Sequence, residues 1–111
     1  MENNTLPSVL VKRLEAQVSQ ILRSTDPAKL DIKERNILIE LRQNLNDARI
    51  YASAYETDET PEEQATSAKT ARKWLARARR NVLAASEYNV FSAIDVAHLS
   101  AQIEQIIDIL K

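Results

Sequence analysis

The chain has 111 residues, of which 44% are apolar and 28% charged, with a formal net charge of -1. That suits one small domain with a real core and gives no global field to attract nucleic acid or anionic lipid. Glycine and cysteine are both absent. The first absence excludes P-loops, dinucleotide-binding turns and nucleophile elbows, whose backbones need Gly. The second excludes disulfides, thiol catalysis and cysteine-ligated metals.

The start, Met1 to Ser8, has no basic segment followed by an apolar one, so no signal peptide is read there. No apolar run is long enough to span a membrane. The expected location is cytoplasmic.

Three prolines mark helix starts, because Pro fits the first helical position, where an N–H would be unpaired anyway. Pro7 opens a first helix over about 6–24, with Val11, Leu14, Val18 and Ile21 as its apolar seam and Leu10 and Leu22 widening it. Asp26 and Pro27 end that segment and start a short turn. Asp31 and Glu34 form an acidic capping box for a long second helix, 31–56. Its seam is Leu38, Leu41, Leu45, Ala48, Ala52 and Tyr55, spaced alternately by three and four.

A polar loop, Thr57 to Thr60, follows. Thr60-Pro61-Glu62-Glu63 combines an N-cap threonine, a proline and a glutamate three residues on, and predicts a third helix over 61–86. Its seam is rich in alanine: Ala68, Ala71, Leu75, Ala78, Val82 and Ala85. A last break at Glu87-Tyr88-Asn89 precedes a fourth helix over about 92–110. That helix starts at Asn89 or at Ser92 and carries Val96, Leu99, Ile103, Ile106 and Leu110. Four such segments joined by short polar connections predict an all-α, antiparallel up-down-up-down four-helix bundle with two long central helices.

Two helical faces remain once the seams are assigned. On the third helix Lys69, Arg72, Lys73, Arg77 and Arg80 centre roughly 150° from the alanine seam. Such a row suits phosphate backbones or an acidic protein surface, and Trp74 could stack on a base. Trp74 lies at the margin of the seam, so the core is its expected place. As a solvated face, the row would pair with Glu56, Asp58 and Glu59.

On the second helix Ile32, Ile39 and Ile50 project in one line, almost opposite the leucine seam, with Ala54 nearby. A helix with two apolar stripes is either buried on two sides or meets another chain. Leu83, on the basic side of the third helix, adds to the interface residues.

His98 is the only histidine, with Asp95 three residues before it. One such pair falls short of a di-iron bundle's ligand set, and a surface pair suits it better. No serine has an evident base in a local motif. The expectation is a non-enzymatic chain with no catalytic residues, metal or cofactor. It is read as an adaptor-like module that binds a protein partner or itself, as in a homodimer. The alternative is a nucleic-acid-binding accessory protein using the basic face.

Overall fold

A computed structural model describes residues 6–88 and 90–111. Among them the chain forms four α-helices and no strand: α1 (Pro7–Arg23), α2 (Ile32–Thr57), α3 (Pro61–Ser86) and α4 (Ala93–Ile109). One 3-10 turn, Pro27–Lys29, lies between α1 and α2. Asn89, one of the two expected starts of the last helix, lies outside the described residues.

Each helix begins where side chains can satisfy its first N–H groups. Asp31 accepts from the Glu34 N–H at 2.8 Å while Glu34 accepts from the Asp31 N–H, a full capping box. Thr60 and Glu63 do the same for α3. Ser92 caps α4 through the Asp95 N–H alone. Phe91, just before that cap, is buried in the core, and Val96 of the first helical turn packs against the same core. That is the geometry of a hydrophobic staple.

The N-cap of α1, Leu6, has no side chain to serve as a cap, and the acceptor comes from another helix. The Ser8 N–H and Oγ both donate to Glu56 near the end of α2, at 2.8 and 2.6 Å. A carboxylate there also meets the positive end of the α1 dipole. The C-caps Ser24, Asp58, Glu87 and Leu110 all have negative φ, so the chain turns without the left-handed residue that would call for glycine.

The helices form a ring in which each packs against its sequence neighbours and α1 closes against α4, as in an up-down-up-down bundle. Contact is most extensive between α2 and α3 and least between α1 and α4. The central pair have 26 residues each and the outer pair 17. At about 1.5 Å per residue these are rods of ~39 and ~25 Å, in a body of 47 × 27 × 18 Å.

The core is built from the seams. Val11, Leu14 and Val18 of α1 meet Leu38, Leu41, Leu45 and Ala48 of α2, the six seam residues of α3, and Leu99, Ile103 and Ile106 of α4. The alanines of α3 are small enough to let a neighbouring backbone come close. No helix is long and apolar enough to cross a membrane among the described residues.

Candidate functional site

The outward face of α2 follows from which helices flank it. On one edge Arg49 Nε bonds Glu15 Oε1 of α1 at 2.8 Å, and Glu56 receives Ser8. On the other edge Asn44 Nδ2 donates to Asn81 Oδ1 of α3 at 2.6 Å. At about 100° per residue, Ile32, Ile39 and Ile50 project between these edges, away from the core.

They are 74%, 54% and 50% exposed. With one neighbour on each edge, α2 has no third helix to cover its back among the described residues. The row runs along the helix with spacings of ~10 and ~16 Å. Ala54 is half-buried and Tyr51, toward the α3 edge, is exposed.

Leu83 is 44% exposed but lies elsewhere. It follows Arg79 by one turn, and the Arg79 guanidinium bonds Glu104 of α4 at 3.0 Å. Leu83 is therefore at the α3–α4 edge, on a different side of the bundle from the isoleucines. The structure brings Ile32, Ile39 and Ile50 into one surface and leaves Leu83 out of it.

On the basic face, Lys69, Lys73, Arg77 and Arg80 are exposed and Arg72 is half-buried with its Nε buried. None of the five makes an ion pair among the described residues. Two of the three loop acids expected to pair with them are engaged elsewhere, Glu56 by Ser8 and Asp58 by the Ser67 hydroxyl at 2.6 Å, and Glu59 makes no ion pair among the described residues.

Trp74 is half-buried against the core, as its marginal position on the seam requires. Its ring is flanked by cations, with Arg77 Cζ 4.8 Å and Lys73 Nζ 5.4 Å from the centroid. Cation–π attraction of ~0.5–1 kcal/mol per exposed contact holds these two charges at the surface without neutralising them.

Asp95 and His98 line an open groove of about 450 Å³ between the end of α1 and the start of α4, with Gln17, Ile21 and Ile94. Among the described residues no three His, Cys, Asp or Glu side chains gather as metal ligands.

Two features escape a reading by single-helix periodicity. Asn44 is a buried polar residue on the α3 side of the α2 seam. Ile94 is 70% exposed at the start of α4. Its signal was its place two residues before Val96, off the Leu99–Ile103 seam. The chain matches no known protein-family model, and no curated protein or solved structure is significantly similar to it.

Proposed function

We propose that this chain is a non-enzymatic protein-association module whose contact surface is the outward face of α2. The observation that carries this reading is the line Ile32–Ile39–Ile50, at least half exposed on a helix whose opposite face is fully packed. Covering a fully exposed isoleucine is worth about 1.5–3 kcal/mol, so three that are half exposed or more offer a few kcal/mol to a partner. Scattered apolar residues are normal on surfaces, whereas a row along one helix matches the way helices dock on one another.

The test is the double substitution Ile39→Glu/Ile50→Glu. It should abolish association, read as absolute mass in solution across a concentration series, while helicity and melting temperature stay near those of the parent. Unfolding of the double variant would assign the row to the stability of the bundle and sink this reading.

A second reading is favoured by the basic face of α3: a nucleic-acid-binding accessory role through Lys69, Arg72, Lys73, Arg77 and Arg80. What supports it is that all five cations lack carboxylate partners among the described residues. A phosphate backbone would supply the missing counter-charge.

A further inference from the structure

The isoleucines belong to a longer pattern. Ile32, Asn36, Ile39, Gln43, Asn46 and Ile50 recur at alternating intervals of four and three. That is the spacing of a seam between two helices wound around each other. All are exposed except Asn46, which is half-buried.

The edges of this seam differ in charge. Toward α1 it is bordered by Arg35, Arg42 and Arg49, and toward α3 by Glu40 and Asp47, with Lys33 at the N-terminal end of that second edge. Arg49 is already tied to Glu15. Arg42, Glu40 and Asp47 make no ion pair among the described residues.

Two copies of such a helix can meet in two ways. Antiparallel, like edges face each other: arginines against arginines and carboxylates against carboxylates. Parallel and in register, each basic edge faces the acidic edge of the other copy. Arg42 then stands opposite Asp47 of the second copy.

The parallel register also sets Ile39 against Ile39 and Ile50 against Ile50. Gln43 meets its own counterpart, and a carboxamide can both donate to and accept from another, whereas Asn46 Oδ1 already accepts from Arg49 Nη2 at 2.6 Å within its own chain. We propose that the occupant of this face is a second copy of the chain, its α2 parallel and in register along the seam from Ile32 to Ile50. The inference rests on the reading of this face as a protein-contact surface and adds its partner, orientation and register. The seam points directly away from the core, so the two bundles meet corner to corner in an isologous contact. It is short, ~28 Å, and half polar, so the dimer belongs to the weak, concentration-dependent class.

The chain has no cysteine, so single cysteines report the pairing directly. In a glutathione redox buffer, Ile39→Cys should form a disulfide-linked dimer far more readily than Ile94→Cys, a still more exposed site off the seam. In an equimolar mixture of Ile39→Cys and Ile50→Cys, the dimers should be almost entirely 39–39 and 50–50. Arg42→Glu should weaken the dimer about tenfold, and Arg42→Glu/Asp47→Arg should recover it, since two symmetry-related contacts change sign.

Preferential 39–50 linkage would establish antiparallel pairing and overturn this proposal while leaving α2 as a contact face. No excess of Ile39→Cys linkage over Ile94→Cys, or a parent chain that stays at 12.6 kDa at every concentration, would overturn pairing with a second copy. A parent dimer that persists in Ile39→Glu/Ile50→Glu would overturn both the proposal and the contact surface beneath it.

Discussion

Asn44 and Asn81 join α2 to α3 by a part-buried carboxamide hydrogen bond of 2.6 Å. Asn44 is buried, so it has little recourse to water if the bond is lost. Asn81→Ala should therefore cost about 1–3 kcal/mol, most of it from leaving a buried carboxamide unsatisfied. Replacing both residues by leucine should cost less than Asn81→Ala alone, because no polar group is then stranded. Chemical denaturation of the two variants decides it, and equal stability of Asn81→Ala and the parent would mean that the bond contributes nothing.

Glu56 caps a helix that it does not belong to. Glu56→Ala removes the acceptor for both the Ser8 N–H and its hydroxyl, and α1 has no side-chain cap of its own to replace it. The expected loss is about 1–2 kcal/mol, in the range of N-cap deletions. It should be seen first as faster amide hydrogen exchange in the opening turn of α1. Unchanged exchange there would show that solvent serves these groups as well as Glu56 does.

The basic face makes its own prediction. Binding to a DNA or RNA oligonucleotide should be measurable at low salt, with log affinity falling linearly as log salt rises. Lys73→Glu/Arg77→Glu should remove it by reversing the two charges beside Trp74. A chain that binds no oligonucleotide even at low ionic strength, or a variant that binds as well as the parent, removes the nucleic-acid reading.

The sequence made the bundle legible because its seams are strict. Every seam residue of α3 is buried, and both capping boxes close as their spacing predicts. Periodicity within one helix cannot say which helices stand side by side, and that is where the reading stopped. Asn44 and Asn81 look like ordinary polar residues until α2 and α3 are placed together. Ile39 and Ile50 could have faced a neighbouring helix, and only the ring arrangement leaves them outside. Leu83 joined the isoleucines in the sequence because exposure on a wheel carries no address. Its place one turn after Arg79, at the α4 edge, separates them. The cationic flanks of Trp74 were nearer to hand, since Lys73 and Arg77 are its neighbours on the same helix.

The connection between α2 and α3 is three residues long, and the α3 side chains Ser67 and Gln64 fasten it by bonds to Asp58. The most extensive packing in the bundle is thus also among the most local along the chain. Loop closure there costs little entropy, and contacts of short sequence separation form early. The α2–α3 hairpin is accordingly the natural folding nucleus, with α1 and α4 adding to it from either end of the chain. The α1–α4 closure, which joins the most distant parts of the sequence through the slightest packing, is expected to come last. Native-state amide exchange should show the same order in reverse, with the outer helices opening first and the central hairpin last.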